Sequence, residues 1–338
     1  MKLITLEEHW ESDRVNQAAK PYMSAPSYPH QNPDDHSIAE FAAKSQRDNT
    51  ELISAGQQRL DFMDANNIQM QIMGYGDNTP KNLDPKVGIE LCQMANDDLA
   101  DAISQHPDRF GGWATLPVGD PEAAAAELER AVTQLGLSGA MIHGYYDHRF
   151  FDDPFYEPIL AAAEKLDVPL YFHPAFIPAE ISEYYYEGQG WSELTAFTFA
   201  GAGWGWHEDL GVQMIRLILA GTFDRHPNLK IITGHWGELV PAFLERMDQT
   251  LGLTVNLQRS ISQTYRENFY ITPSGMFFPA QLQLIYTEVG ADHLMYSLDY
   301  PYNHPADAAK FLTDSILTPD EQAKVAYQNA EKLLHLRK

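Results

Sequence analysis

Cysteine is almost absent from this chain of 338 residues, which contains only Cys92. A lone cysteine excludes an internal disulfide and any metal cluster held by several thiolates, and it is typical of proteins in reducing compartments. Long apolar runs are absent as well, since no stretch approaches the roughly 18 apolar residues that a membrane-spanning helix needs. Residues 1–9 contain a short apolar run that two glutamates interrupt, which is unlike a signal peptide. We therefore expect a cytoplasmic protein that does not cross a membrane.

Positive charge is scarce: 23 lysines and arginines face 47 aspartates and glutamates, so the formal net charge is −24. An acidic surface repels phosphate backbones and anionic lipids, so we expect neither nucleic acid nor a membrane surface as a partner. The same charge keeps a protein soluble, which is the simplest interpretation of this composition. An anionic substrate would need local positive charge in its site, which a bound cation can supply.

Short β-like segments alternate with helical segments along most of the chain. Strands that alternate with helices predict a parallel sheet, and eight such units in one chain favour closure of that sheet into a barrel. The sequence therefore predicts an α/β fold, a distorted (β/α)₈ TIM barrel that forms a single domain over residues 1–338. The predicted strands are 3–6, 68–73, 112–116, 139–142, 169–172, 230–233, 269–272 and 294–297. The clearest predicted helices are 85–105, 121–135, 155–165, 211–225 and 279–288.

Two long segments interrupt this alternation, residues 10–58 after the first predicted strand and residues 176–206 after the fifth. Long loops in compact domains are usually functional, and loops that follow barrel strands lie over the catalytic face. We therefore predict two loop insertions over that face. The second insertion carries several aromatic residues, for which a wall against a planar substrate and ordinary packing are both open interpretations: Tyr184, Tyr185, Tyr186, Trp204 and Trp206.

Histidines collect at the predicted strand ends. In a barrel of this kind the chemistry belongs to the carboxyl ends of the strands. The chain has 13 histidines, and a random distribution would rarely place four of them at these ends. The remaining histidines, among them His207, have no such positional argument. The sequence therefore predicts an active site built from the residues that end five of the eight strands, which include His9, His143, His173, His235 and Asp299.

The residue types at these ends suit a metal ion. Glu7 and His9 are two residues apart on the first strand, so both side chains point into the lumen, where a shared cation and a solvated strand end are the two interpretations. His173 follows a buried strand, where a histidine is more often a hydrogen-bonded core residue than a ligand. A carboxylate at the buried position of Asp299 is costly unless a metal or a histidine neutralises it. Together these four side chains form a mixed nitrogen and oxygen set suited to Zn²⁺ or Mn²⁺.

The residues Gly-His-Trp-Gly-Glu at 234–238 follow the sixth predicted strand. His235 is placed to reach the lumen, and Glu238 is placed to bind the other imidazole nitrogen, which would fix the tautomer. The alternative for Glu238 is an acid in the first turn of a helix that begins near it. Arg246 lies either within reach of this network or in a surface ion pair. His143 is either a substrate contact or a packed strand-end histidine.

Six motifs in this order and spacing resemble the metal-dependent decarboxylase branch of the amidohydrolase superfamily. This branch includes aminocarboxymuconate-semialdehyde, γ-resorcylate and 2,3-dihydroxybenzoate decarboxylases. The resemblance spans nearly the whole chain, and Glu7 stands where many hydrolases of the superfamily have the first histidine of a His-x-His motif. The motifs are Leu-Glu-Glu-His at 6–9, Leu-Tyr-Phe-His-Pro at 170–174 and the segments 216–224, 227–238, 268–275 and 296–302.

The resemblance implies one divalent metal ion per chain, Zn²⁺ or Mn²⁺, and reversible non-oxidative decarboxylation of an ortho-hydroxylated aromatic acid such as a dihydroxybenzoate. It also implies a homo-oligomer, a dimer or a tetramer. The implied metal ligands are Glu7, His9, His173 and Asp299. Asp299 would also protonate the ring carbon, and the implied catalytic groups beside it are His235 and Glu238.

One position departs from the family pattern, because Ala175 follows Pro174 where resorcylate-type enzymes commonly have arginine. A substrate contact therefore differs from theirs. Three alternatives to the decarboxylase remain open: a metal-dependent hydrolase such as a lactonase, a hydratase of the same superfamily, and a non-catalytic barrel with a structural metal. The last is disfavoured because the polar groups lie at open strand ends and do not form a closed cage.

Overall fold

The computed structural model describes residues 1–22, 34–45, 50–76 and 80–336. Within these ranges parallel strands form a three-stranded sheet with the order β1-β2-β3 and a four-stranded sheet with the order β4-β5-β6-β7. The bounds of the strands are β1 (Leu3–Trp10), β2 (Ile68–Tyr75), β3 (Phe110–Gly112), β4 (Ala140–His143), β5 (Leu170–His173), β6 (Ile231–Thr233) and β7 (Phe269–Ile271).

Isolated parallel bridges join the two sheets into a closed barrel. Ala114 pairs with Ala140 on β4, so the third predicted strand is continued by one bridge beyond the end of β3. On the other side, Leu294 pairs with Ile271 and Tyr296 pairs with Thr5. The barrel is therefore closed but distorted, as the sequence predicts.

The prediction of a regular eighth strand at 294–297 is wrong in detail. This segment makes single bridges to β7 and β1 and is not a continuous strand among the described residues. The reason lies in the backbone that follows it: the N–H groups of Leu298 and Tyr300 donate to the side chain of Glu8 instead of to a neighbouring strand. A side chain thus replaces part of the strand ladder.

Helices connect the strands on the outside of the barrel. The longest predicted helix has the predicted bounds, since α5 begins at Pro85 after the N-cap Asp84 and ends at Gln105. No helix among the described residues combines the length and the apolar character needed to cross a membrane. A π-helical segment, Lys324–Gln328, lies between the last two α-helices. The helices are α1 (Asp13–Ala19), α2 (Ser37–Ser45), α3 (Thr50–Ile53), α4 (Gln57–Ala65), α5 (Pro85–Gln105), α6 (Pro121–Thr133), α7 (Glu157–Leu166), α8 (Ala179–Tyr185), α9 (Glu193–Ala200), α10 (Gly205–Leu219), α11 (Thr222–Arg225), α12 (His235–Glu238), α13 (Leu244–Thr250), α14 (Ile261–Asn268), α15 (Pro279–Val289), α16 (Lys310–Thr313), α17 (Pro319–Ala323) and α18 (Asn329–Leu333).

Apolar side chains fill the lower part of the barrel lumen. Residues that point inward from the strands form one buried cluster, and α18 adds Leu333 to it from the amino-terminal end of the strands. Each such side chain stabilises the fold by roughly 1.5–3 kcal/mol when fully buried. Polar lumen residues are thereby confined to the carboxyl end of the strands. The strand residues of the cluster are Ile4, Leu6, Ile72, Met141, Tyr171 and Ile232, joined by Trp113 and Met295.

The two insertions carry short helices in their described parts, so they are more regular than the predicted loops. The first contains α1, α2 and α3, while its residues 23–33 and 46–49 lie outside the described residues. The second contains α8 and α9. The insertions touch each other, because Asp35 accepts the N–H of Glu193 at 2.9 Å and Ser37 Oγ accepts the N–H of Leu194 at 3.1 Å. That residues 1–338 form a single domain remains a prediction.

Candidate active site

Four side chains converge at the carboxyl end of the barrel: Glu7 and His9 on β1, His173 at the end of β5, and Asp299. One possible ligand atom of each lies within 4.8 Å of the others. His9 Nε2 is 3.0 Å from Asp299 Oδ1, and His173 Nε2 is 3.4 Å from Glu7 Oε1. The structure therefore brings together all four residues that the sequence points to as metal ligands.

The chemistry of this cluster fits a divalent cation. Glu7 Oε1 is fully buried, and among the described residues it accepts no hydrogen bond. Two imidazole nitrogens face it, His173 Nε2 at 3.4 Å and His235 Nε2 at 3.7 Å. The Nδ1–H of His173 is donated to the carbonyl of Pro174 at 2.7 Å, so the lone pair on Nε2 is turned toward Glu7. Burial opposes ionisation of Glu7, but the imidazoles of His235 and His173 hold its pKa well below the usual range.

The other oxygen of Glu7 is held by hydroxyl groups that the sequence analysis does not identify. Tyr171 and Ser274 both donate their hydroxyls to Glu7 Oε2. Tyr171 is in turn 2.8 Å from Thr272 Oγ1. The residue before His235 must be small here, because a Cβ at Gly234 would lie 2.5 Å from Glu7 Oε2 and would also meet the Ser274 hydroxyl. These contacts set the direction in which Oε1 points.

Both carboxyl oxygens of Asp299 contact other side chains. Oδ1 faces His9, and Oδ2 accepts a hydrogen bond from Asn303 Nδ2 at 3.2 Å. The backbone of Asp299 is left-handed, with a φ of 63°. Burial raises the pKa of Asp299, although the His9 imidazole acts in the opposite direction. A buried carboxyl of this kind retains a proton more readily than an exposed aspartate.

Behind the cluster, on the outer face of β1, Glu8 holds the backbone on both sides of Asp299. Its side chain is completely buried. Oε1 accepts the N–H of Leu298 at 3.0 Å, and Oε2 accepts the N–H of Tyr300 at 3.3 Å. Because these two residues flank Asp299, the position of Glu8 determines where the Asp299 backbone lies.

Arg59, on α4, completes this outer network. It is 1% exposed and donates from Nη2 to the carbonyl oxygens of His9 at 2.6 Å and Glu51 at 2.9 Å. Nη1 reaches Gln71 Oε1 at 3.3 Å, and Gln71 Nε2 donates to Glu8 Oε2 at 3.3 Å. Burial raises the pKa of Glu8 to about 8, and the nearby Arg59 guanidinium acts in the opposite direction. Arg59 also holds the backbone of His9, a predicted metal ligand.

The segment after β6 differs from the prediction. We expected a helix to begin near Glu238, but the five residues from His235 to Leu239 have positive φ values between 44° and 81°. The short element α12 (His235–Glu238) is therefore a left-handed turn, and a regular helix starts only at Leu244, after a 3₁₀ turn over Val240–Phe243. The left-handed turn folds Glu238 back beneath His235, and the distance from His235 Nδ1 to Glu238 Oε1 is 2.8 Å. Glu238 thus orients His235 and is not the first-turn acid of a regular helix.

Glu238 also binds a second histidine, which the sequence analysis left without a role. His207 Nδ1 lies 2.7 Å from Glu238 Oε2, and Trp206 Nε1 donates to His207 Nε2 at 3.0 Å. Glu238 is 1% exposed, yet its pKa is lowered because His235 and His207 outweigh the effect of burial. Burial disfavours the His235 imidazolium, but the charges of Glu238 and Glu7 raise the pKa of His235 to about 10.

The other residues that the sequence analysis considered as possible site contacts lie at different distances from the cluster. Arg246 is exposed on α13, so the surface interpretation holds for it. The ring of His143 lies 4.4 Å from that of His173, which makes it a packed neighbour of the cluster. Trp206, in the second insertion, lies beside the site, with its ring 6.5 Å from that of His173. Tyr184 is 83% exposed, so the wall interpretation does not extend to it.

A cavity of about 300 Å³ opens beside the cluster, between the loop after β4 and the start of the second insertion. Cavities of this size are at the lower end of the range for small-molecule sites. It lies directly after the strand-end residues His143 and His173. Its walls are formed by Asn82, Gly144, Tyr145, Asp147, His148, Ala175, Phe176, Ile177 and Pro178.

Comparisons with known proteins agree with this geometry. A family model described as Amidohydrolase matches residues 28–336. The decarboxylase orsB of Emericella nidulans is 38% identical over 299 residues, which cover 85% of this chain and 88% of that protein. The gamma-resorcylate decarboxylase of Rhodococcus jostii is 33% identical over 293 residues, which cover 82% of this chain and 87% of that protein.

A solved structure extends the likeness to the whole chain. It is a dihydroxybenzoic acid decarboxylase from a Polaromonas species with bound manganese and the inhibitor 2-nitroresorcinol. The two chains are 28% identical with a TM-score of 0.82, and the match covers 100% of this chain and 98% of the other. The prediction of an α/β barrel of this superfamily is thereby confirmed.

Proposed function

Because the chain belongs to the amidohydrolase family, we propose that it is a metal-dependent decarboxylase of an ortho-hydroxylated aromatic carboxylic acid. One observation carries the proposal: four side chains suited to a divalent cation, one of them the partly buried carboxyl of Asp299, share the barrel mouth with the oriented imidazole of His235. The decarboxylase relatives and the manganese in the Polaromonas enzyme support it.

The proposed metal ligands are Glu7, His9, His173 and Asp299, with Zn²⁺ or Mn²⁺ as the ion. A bound cation would supply positive charge for an anionic substrate, against the net charge of −24 of the chain. We propose that the substrate ring enters through the cavity after β4 and β5.

Loss of CO₂ needs a proton on the ring. Direct cleavage of the bond to the carboxylate would leave an aryl anion, which is too unstable to form. We assign the proton to Asp299, which adds it to the ring carbon that bears the carboxylate. CO₂ then leaves, and the bonding electron pair returns to the ring and restores aromaticity. The balance is one arylcarboxylate and one proton in, one arene and one CO₂ out.

Asp299 must then regain its proton. His235 is the proposed source, because its raised pKa keeps a proton on the imidazole and its Nε2 faces the same cluster. Glu238 acts through His235: it accepts the Nδ1–H and stabilises the imidazolium form. The proton therefore passes from His235 to Asp299 and then to the ring, while Glu238 stabilises the protonated His235.

Turnover in D₂O tests this function. With a panel of hydroxybenzoates, the enzyme should release CO₂ and place one deuterium on the carbon that carried the carboxylate. In concentrated bicarbonate it should carboxylate the corresponding phenol, since no water is consumed. Asp299→Asn should bind substrate but fail at the chemistry. Incorporation of solvent oxygen into a hydrolysed lactone or ester, without CO₂ from any hydroxybenzoate, would support the hydrolase instead.

We also propose that the protein is a homo-oligomer, a dimer or a tetramer. Light scattering after size-exclusion chromatography measures the molar mass directly, and a mass of 38.2 kDa, that of one chain, would contradict this.

A further inference from the structure

We propose that His207 is a positioning residue for His235, acting through Glu238, and that the second insertion thereby contributes to the acid–base chemistry of the site. The inference rests on the proposed function, and it concerns a residue that lies far from the metal ligands in the sequence. The two carboxylate oxygens of Glu238 contact two different histidines.

Each oxygen of the buried Glu238 carboxylate binds one imidazole. Oε1 is 2.8 Å from His235 Nδ1, and Oε2 is 2.7 Å from His207 Nδ1. With a donor on each oxygen, the carboxylate has one favoured rotation, and in that rotation His235 keeps its proton on Nδ1. Without the second donor, Oε2 would be a buried charged oxygen with a lost hydrogen bond, which is costly enough to drive rotation or protonation of the carboxylate.

His207 is itself fixed as a donor. The indole Nε1–H of Trp206 points at His207 Nε2 over 3.0 Å, and an indole can only donate. Nε2 also lies 3.2 Å from the carbonyl oxygen of Ala202, but the contact with the indole is shorter, and the Glu238 carboxylate can only accept. Nε2 therefore carries the lone pair, and the ring proton sits on Nδ1, where it faces Glu238. The chain of contacts from Trp206 to His235 thus has a single direction of donation at each step up to the carboxylate.

The second insertion delivers this histidine. His207 lies at the start of α10, directly after residues 176–206. Its neighbour Glu208 accepts hydrogen bonds from the insertion residues Tyr186 at 2.9 Å and Trp204 at 3.1 Å. The second insertion is therefore tied to the turn of α10 whose His207 contacts Glu238.

Three substitutions of His207 distinguish a role as hydrogen-bond donor from a role in packing alone. The amide nitrogen of His207→Asn can take the place of imidazole Nδ1 and donate to Glu238. His207→Gln reaches the place of Nε2 and leaves the Nδ1 position without a donor, and His207→Leu removes both. The metal-loaded enzyme should lose about 10- to 100-fold in kcat with Gln and with Leu, at unchanged metal content and with KM within about twofold. His207→Asn should recover most of kcat.

His226→Leu is the matched control. Like His207, His226 binds a carboxylate through Nδ1, which is 3.0 Å from Glu164, and its Nε2 is 2.7 Å from Glu157. It is buried and precedes β6 at the amino-terminal end of the barrel. It should lower Tm at least as much as His207→Leu and leave kcat unchanged. Wild-type kcat in His207→Leu, or equal kcat in the Asn and Gln variants, would overturn the proposal. If the Leu variant does not fold, the comparison of Asn with Gln decides.

A second measurement does not depend on turnover. In zinc-loaded protein labelled with ¹⁵N-histidine, NMR should find a hydrogen-bonded proton on His235 Nδ1 in the wild type and in His207→Asn, and a weakened or rapidly exchanging Nδ1–H in His207→Gln. An unchanged Nδ1–H signal in His207→Gln would overturn the positioning role. If no hydroxybenzoate is decarboxylated by the wild type, the proposed function fails, while this measurement still decides the role of His207.

Discussion

Glu8→Gln is the substitution that best isolates the geometry of the proposed acid. The carboxylate of Glu8 accepts two backbone N–H groups, from Leu298 at 3.0 Å and from Tyr300 at 3.3 Å, on either side of Asp299. A glutamine has one acceptor oxygen and one NH₂ group, so one of the two buried N–H groups must face another donor. The backbone at Asp299 then moves away from the position in which the side chain of Glu8 holds it.

The expected cost follows from that lost acceptor. One buried N–H without a partner destabilises a fold by about 1–3 kcal/mol, which lowers Tm by a few degrees in a protein of this size. The loss of rate should exceed what the loss of folding stability would cause, since a displacement of about 1 Å in a reacting group can cost 100-fold in rate. We expect kcat to fall about 10- to 100-fold and the affinity for the metal to weaken, because Asp299 is also a proposed ligand.

Glu127→Gln is the control for buried carboxylates. Glu127 on α6 is 2% exposed and Glu8 is 0% exposed. Glu127 accepts hydrogen bonds from Asn96 at 2.6 Å and from Arg130 at 2.8 Å, outside the barrel. Thermal denaturation should show similar losses for both variants, whereas steady-state kinetics and metal analysis should show a defect only in Glu8→Gln. Equal kcat in the two variants would refute the reasoning.

Three further predictions concern the metal, the imidazole and a buried acid. Gly234→Ala should lower the metal content measured by mass spectrometry, because its Cβ would lie 2.5 Å from Glu7 Oε2. Glu238→Gln should lower kcat and leave the metal bound; loss of metal would instead make Glu238 a ligand. Burial raises the pKa of Asp209 from 3.8 to about 6. The proton is therefore bound more tightly in the folded state, and the stability that it contributes is lost as the pH rises through 6. Asp209→Asn should stabilise the protein increasingly between pH 4 and pH 8, by at most about 3 kcal/mol in urea denaturation, and a pH-independent effect would contradict this.

The convergence of the four proposed metal ligands could be predicted because it depends on local periodicity and on one property of parallel barrels. Side chains two apart on a strand share a face, which puts Glu7 and His9 together in the lumen. The carboxyl ends of parallel strands meet at one end of the barrel, which brings His173 and Asp299 to the same place. Neither step requires knowledge of how the outer helices and insertions pack.

The bounds of the longest helix could be predicted for the same kind of reason. Asp84 and Pro85 form a start signal that acts within one turn, and α5 begins there. The eighth strand could not be predicted in detail. Its ladder is replaced by contacts from Leu298 and Tyr300 to Glu8, which lies 290 and 292 residues away in the sequence.

The sequence by itself thus determined the barrel, the convergence of the four proposed metal ligands and the pairing of His235 with Glu238, since strand alternation and spacing along short segments predict each of them. Only the tertiary structure decided how these groups are aimed. Residues distant in the chain hold them: Tyr171 reaches Glu7 across 164 residues, and His207 reaches Glu238 across 31. The left-handed run after β6 has the same origin. Non-glycine residues in that conformation cost roughly 1–2 kcal/mol each, so local preference alone would not select it, and contacts from other strands must offset the cost.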